Sequence, residues 1–230
     1  MGANFITGTG TDIGKTWLAC ALLRHWRAAG LAPAAFKPVL SGFDALHPGL
    51  SDAGALLLAL GREPSAADLD AIAPWRFAAP LSPDMAATRE GRRIDFAALV
   101  DFSRRIIAAP DRPLLIEGVG GVMAPLDERH TVRDWIAASG LPCVLVAGSY
   151  LGSLSHTLTA LEALQKVMRS GIPGDGAGVT AIVVNETPGS TVALDATLET
   201  LSRFVAGIPL VAIARSNPPA GVARLAELLC

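Results

Sequence analysis

The 230-residue chain reads as an α/β protein with a single domain, built on a doubly wound, mostly parallel sheet flanked by helices. Three observations predict this. Six short runs are apolar almost throughout and do not alternate, the pattern of strands covered on both faces. Longer stretches with helical character separate them. Glycine and proline punctuate the junctions, as at Gly30, Gly140-Leu141-Pro142 and Gly207-Ile208-Pro209.

In chain order the strands are expected at 4–8 (NFITG), 34–39 (AAFKPV), 113–118 (PLLIEG), 142–148 (PCVLVAG), 180–185 (TAIVVN) and 208–214 (IPLVAIA). Helices are expected over 15–29, 51–60, 94–108, 131–139, 153–170, 190–205 and 219–229. Residues 61–93, with Pro64, Pro74, Pro80 and Pro83, read as a long irregular connection over the active face. The stretch 171–178 (GIPGDGAG) reads as a surface loop. Repeated strand–helix–strand units imply right-handed crossovers, and ligands on such sheets bind beyond the carboxyl ends of the strands.

Half of the residues are hydrophobic (51%), which supplies a sizeable core, and no apolar run approaches the ~18 residues of a membrane span. A formal net charge of −2 offers neither a basic footprint for nucleic acid nor a polybasic membrane patch. Cys20, Cys143 and Cys230 match no metal spacing, and their odd number points to a reducing compartment. The opening MGANFITG reads as a strand rather than a secretory leader, and Ile6 stands where a myristoylation start wants Ser or Thr. The expected location is the cytoplasm, with no nucleic-acid or membrane partner.

The stretch GTGTDIGKT, Gly8 to Thr16, lies between the first strand and the first helix. Loop amides and the helix N-terminus would face an anion there. Lys15 would neutralise β/γ-phosphate oxygens, and the Thr16 hydroxyl could ligate Mg²⁺. Thr9 occupies the place of the first glycine of the standard spacing, with Gly8 and Gly10 on either side. The bland reading is a glycine-rich turn with a helix cap; the strand before, the helix after and the GKT ending favour a nucleotide site of the P-loop NTPase type. Such a site needs carboxylates for its magnesium, and Glu117 stands at the tip of a buried strand. Asp52 is evenly balanced between that role and an acid favoured by a helix N-terminus. Lys37 follows a strand and precedes Pro38; it either stabilises a transferring phosphoryl group or snorkels to water. Ser41 and Gly42 follow in a turn that binds substrate or caps.

Taken together, TGTGTDIGKT, KPVLSG, SDAGALLLA, APLSPDMAA, IEGVGGVMAPL, LGSLSHT and VVNE resemble the dethiobiotin synthetase family along most of the chain. Those enzymes are ATP-dependent carboxylases of biotin biosynthesis. The resemblance implies a cytoplasmic homodimer that closes the ureido ring of dethiobiotin from 7,8-diaminononanoate, CO₂ and ATP, with Mg²⁺, through a carbamate and a carbamic–phosphoric anhydride. By the same resemblance Lys37, Lys15 and Thr11 serve the chemistry. Asp12, Ile13, Gly14, Lys15, Thr16, Trp17, Glu117, Gly118, Val119, Gly120, Asn185 and Asn217 bind ATP, with Asn185 reading adenine. Thr16, Asp52 and Glu117 surround the metal. Ser41 touches substrate, and Gly152, Ser153 and Ser155 reach across a dimer interface to its carboxylate tail, with His156 either beside them or packed at that interface. Three features depart from the family pattern: Gly10 where Asp is frequent, Ser155 where Asn is common, and PLVAIAR at 209–215. Two rival readings are a ParA/MinD-like switch ATPase and another ATP-dependent amide ligase on this core. The switch ATPases carry an extra lysine early in the loop, and a cobyrinate-amidating enzyme needs a glutaminase partner domain.

Overall fold

A computed structural model describes residues 2–108, 112–169, 178–205 and 207–229. Six strands form one sheet: β1 (Ala3–Gly8), β2 (Ala34–Phe36), β5 (Leu114–Glu117), β6 (Cys143–Gly148), β7 (Val179–Asn185) and β8 (Leu210–Ile213). Their order is β2-β5-β1-β6-β7-β8, and every pair is parallel. The pleat explains why the strands read as unbroken apolar runs. Phe5, Ile116 and Leu145 face one layer, while Ile6, Leu115 and Val144 face the other.

Each layer is a helical stripe packed on the sheet. On the Ile6 side lie α1 (Lys15–Ala28) through Leu18 and Leu22, α2 (Asp52–Ala59) through Leu56, α3 (Ala66–Ile72) through Leu69, and α9 (Pro218–Leu229) through Leu225. On the Phe5 side lie α4 (Pro83–Arg89), α5 (Phe96–Ile107), α6 (Val132–Ser139), α7 (Ser153–Arg169) and α8 (Leu194–Ser202), held by Ala86, Leu99, Trp135, Leu164 and Leu201. The chain therefore leaves β1 by α1 onto one face and leaves β5 by α6 onto the other. These two strands are neighbours, so their carboxyl ends open a crevice where the winding reverses.

The expected elements appear with shifted ends, and two expectations are corrected. The strand expected over 34–39 is interrupted: β2 ends at Phe36, and β3 (Val39–Ser41) leaves the main sheet to pair in parallel with β4 (Trp75–Phe77). Pro38, which has no N–H to give a ladder, sits at the break. The irregular connection expected over 61–93 is folded into α3, β4 and α4. Its prolines were misleading as breakers. Pro83 occupies the first turn of α4, where a missing N–H costs nothing, and Ser65 caps α3 by accepting from Asp68 N. The loop expected at 171–178 lies outside the described residues but for Gly178, and so does Cys230. Cys20 and Cys143 are buried free thiols, which burial pushes up to about 11 and about 12. Among the described residues, no helix is long and apolar enough to cross a membrane.

Trp135 ties α6 to both β1 and α5. Its ring meets Phe5 edge-on at 4.8 Å, and its Nε1 donates to Ser103 Oγ at 2.8 Å. That hydroxyl in turn donates to Leu99 O at 2.9 Å, so the buried polar pair is fully used. Ser103→Ala leaves the indole N–H without an acceptor and is expected to cost about 1–3 kcal/mol. A urea titration checks this: the midpoint should fall while the slope stays unchanged.

Candidate active site

The loop after β1 is shaped by backbone approach. A side-chain carbon at Gly8 would strike Ile13 Cδ1 and stand 3.1 Å from Val146 O. Val122 N donates to Gly8 O at 2.9 Å, which draws the loop after β5 against the loop after β1. Asp12 (φ 58°) and Gly14 (φ 90°) then turn the chain into α1. No side chain caps α1, and no acid occupies its first turn. Its amino end is left as an uncompensated positive site, the electrostatic requirement for binding phosphate. Lys15 is buried and folds back to donate to Gly10 O at 2.6 Å. Burial, then the neighbouring Lys37 cation, brings its ammonium down to about 8.

The second lysine sits where β2 gives way to Pro38. Lys37 Nζ donates to Glu117 Oε1 at 2.7 Å and to Gly118 O at 2.9 Å, and lies 3.2 Å from Asp52 Oδ2. Its three protons face three acceptors. Burial acts to lower the Lys37 pKa, but Glu117 and Asp52 outweigh it and hold the ammonium above its ordinary value. Glu117, 1% exposed at the tip of β5, also accepts from Thr16 Oγ1 at 2.6 Å. Asp52 opens α2 just after its cap, Ser51, and its side chain is 43% exposed. Burial acts to raise its carboxyl, yet Lys37, Thr16 and Lys15 together hold it low. Thr16, Lys37, Asp52 and Glu117 thus converge from four segments of the chain.

This cluster could hold a magnesium ion. Its donors are a hydroxyl and two carboxylates, all hard oxygens, and Glu117 Oε2 is buried without a partner. No group of three or more His, Cys, Asp or Glu that could hold a metal occurs among the described residues. Mg²⁺ suits such a sparse set, because substrate phosphates and water supply its remaining ligands.

The cluster floors a cleft of about 1120 Å³. Of the residues singled out from sequence, Thr11, Asp12, Gly14, Lys15, Thr16, Trp17, Lys37, Ser41, Asp52, Glu117, Val119 and Gly120 line it. Ser41 Oγ is buried and unpartnered there. Ile13, Gly118 and Asn185 do not line it but contact its wall: Gly118 through its carbonyl to Lys37, and Asn185 by donating Nδ2 to Ile13 O at 2.6 Å. Gly152, Ser153, Ser155 and Asn217 are not among its lining residues.

Solved structures with this topology include the cell-division ATPase MinD of Pyrococcus furiosus (TM-score 0.59, 14% identity, covering 100% of this chain and 98% of that one). Another is the hydrogenase maturation factor HypB of Archaeoglobus fulgidus (TM-score 0.57, 11% identity, 100% and 91% covered). At such identities the likeness is one of fold: both share the P-loop NTPase architecture. Residues 3–219 match a family described as an AAA domain. A relative in Acidiphilium cryptum named ATP-dependent dethiobiotin synthetase BioD is 49% identical over 208 residues, 89% of each chain. The protein of the same name in Phenylobacterium zucineum is 42% identical over 231 residues, covering all of this chain and 95% of that one. The chain belongs to this AAA-domain family and, within it, to the dethiobiotin synthetases.

Several residues of this family member's cleft escaped the sequence reading. Leu40, Pro80 to Pro83, Gly121 to Pro125, Thr159 and Ala160 all line it, as does His156, which the sequence left between a place beside the tail-binding residues and one packed at an interface. The signals existed: APLSP and the GVMAPL part of its motif were visible without roles, and 156, 159 and 160 fall on one helical face. A methyl group at Gly14 would stand 2.5 Å from Asn185 Nδ2 on a backbone that L-residues avoid. Gly14→Ala is therefore expected to displace the clamp on Ile13 O and weaken nucleotide binding about tenfold or more. Calorimetric titration with a non-hydrolysable ATP analogue measures it; unchanged affinity would free the loop from this constraint.

Proposed function

We propose that the protein uses ATP and Mg²⁺ to join CO₂ to 7,8-diaminononanoate and close the urea ring, giving dethiobiotin, ADP and phosphate. The observation that carries this reading is the meeting of Lys15, Lys37, Thr16, Asp52 and Glu117 at one end of a single cleft. The names of the relatives support it.

In this reading the amides around Asp12 to Thr16, with Lys15, take the ATP phosphates, and Thr11 lies beside the reacting end. Trp17, Val119 and Gly120 border the nucleotide, Glu117 and Gly118 lie beneath it, and Asn185 and Asn217 serve the base. Thr16, Asp52 and Glu117 hold Mg²⁺, which when bound neutralises charge on the phosphates. Lys37 then turns from its carboxylates towards the substrate, where its charge stabilises the carbamate oxygen and the phosphoryl group passing to it. The carbamate forms on one amine and attacks the γ-phosphate. The second amine displaces phosphate from the resulting anhydride as the ring closes. Ser41 orients the diamine, and positioning with charge stabilisation does the catalysis. The whole chain works as one synthetase domain, in a cytoplasmic homodimer in which Gly152, Ser153 and Ser155 approach the neighbour's substrate.

Phosphate release by the purified protein with Mg·ATP is expected to need both bicarbonate and the diamine; release without diamine would sink the reading in favour of a switch ATPase. Lys37→Ala is expected to keep ATP affinity within a few-fold while turnover falls about 10²-fold or more. Because the change strands Glu117 in a buried site, circular dichroism at the assay temperature verifies that the variant is folded. Undiminished turnover in the folded variant would remove Lys37 from the chemistry.

A further inference from the structure

We propose that a second pocket, beside the cleft, binds inorganic phosphate in its protonated form, hydrogen phosphate. The pocket measures about 490 Å³ and shares no lining residue with the cleft, although the same two segments wall both. Helix α4 gives Pro83 to the cleft and Thr88 to the pocket, and the loop after β5 gives Pro125 to the one and Leu126 to the other. Nothing in the synthetase reading uses this place, and the inference stands independently of that reading.

The pocket offers both donors and an acceptor. Arg93 and Arg129 line it, both are exposed, and neither guanidinium has a partner among the described residues. Their planar forks match the oxygens of a tetrahedral oxyanion. His130 is held from two sides. Its ring stacks on Phe96 at 3.9 Å with the planes 4° apart, and its Nδ1 lies 2.9 Å from Asp127 Oδ2. An ionised carboxylate can only accept, so Nδ1 carries a proton, and in the neutral ring Nε2 keeps its lone pair for a ligand.

Four acids complete the lining, and they decide which ion fits. Three are already engaged. Asp127 also accepts from Arg129 N and His130 N, Asp95 caps α5 by accepting from Ala98 N, and Asp84 accepts from Ser82 Oγ. Glu128 is exposed and has no partner among the described residues. A fully ionised oxyanion such as sulfate would satisfy the two guanidinia, but it would set its oxygens against the Nε2 lone pair and the Glu128 carboxylate. Hydrogen phosphate has the same shape and a similar charge, yet it brings an O–H that either group can accept. A metal cation would instead face the two guanidinia. The mixed lining therefore selects a tetrahedral ion that retains a proton.

Calorimetry tests this on protein saturated with Mg²⁺ and a non-hydrolysable ATP analogue, so that the loop after β1 is already taken. Inorganic phosphate is expected to bind once per chain with a Kd below about 1 mM, and sulfate about tenfold or more weaker, the scale of a hydrogen bond to a charged group. His130→Phe keeps an aromatic ring on Phe96 but removes the acceptor. It should cost phosphate most of its advantage and leave sulfate unchanged. The double variant Arg93→Gln/Arg129→Gln should weaken both ions about tenfold or more. Wild-type affinity of each variant for the ATP analogue verifies that it is folded. The proposal is overturned if no further phosphate binds, if sulfate binds as tightly as phosphate, or if the arginine variant keeps its affinity. Equal weakening of both ions by His130→Phe would likewise overturn it, because the ring would then serve only to hold the pocket in shape.

Discussion

The site depends on one buried ion pair. Lys37 and Glu117 lie 2.7 Å apart with almost no solvent access, and the cost of dehydrating both charges is large. Two well-packed apolar side chains would hold β2 to β5 at least as well. What the pair provides is a fixed supply of charge at the mouth of a crevice. The lysine stays protonated because two carboxylates face it, and Glu117 lies against that cation and the Thr16 hydroxyl. The parallel sheet makes this possible by ending β2 and β5 side by side, and by turning the chain away from them onto opposite faces.

The same arrangement explains the balance of the site before any ligand arrives. Lys15 and Lys37 repel one another in a region of low dielectric, and Asp52 and Glu117 offset them. A triphosphate with its magnesium can enter such a neutral cluster by exchanging partners. Thr16 and Glu117 would trade each other for metal, and Lys15 would trade a loop carbonyl for phosphate. Little backbone need move, because both flanking loops are already tied to β1 and β6 through Gly8 O and Val146 O.

Much of this was legible in the sequence, for physical reasons that differ by residue. The six strands stood out because both of their faces are covered, which forbids alternation. Lys37 and Glu117 stood out because a charge directly after an apolar run must be either wet or employed. Asp52 was ambiguous because a helix-start acid and a metal ligand share the same local context; what the fold adds is that it faces the Lys37 ammonium at 3.2 Å. β3, β4, α3 and α4 stayed hidden because they are three to seven residues long, too short for periodicity to register. His156 was visible with two readings, beside the residues that serve the substrate tail or as a helix-start residue packed at an interface. Its place on the cleft wall follows from how α7 is rotated against the sheet, a property of packing that no single stretch encodes.

The position of β1 carries a consequence for how the molecule comes into being. This strand precedes the other described strands in the chain and stands in the middle of the sheet, yet its two partners begin at Leu114 and Cys143. At ordinary translation speeds the nascent ANFITG segment waits roughly 5 to 20 s before its first neighbour exists. Throughout that interval an apolar, β-prone stretch has no correct ladder to join. Safe birth of this protein therefore rests on α1 sheltering its own strand, or on a chaperone that does so until the middle of the chain arrives.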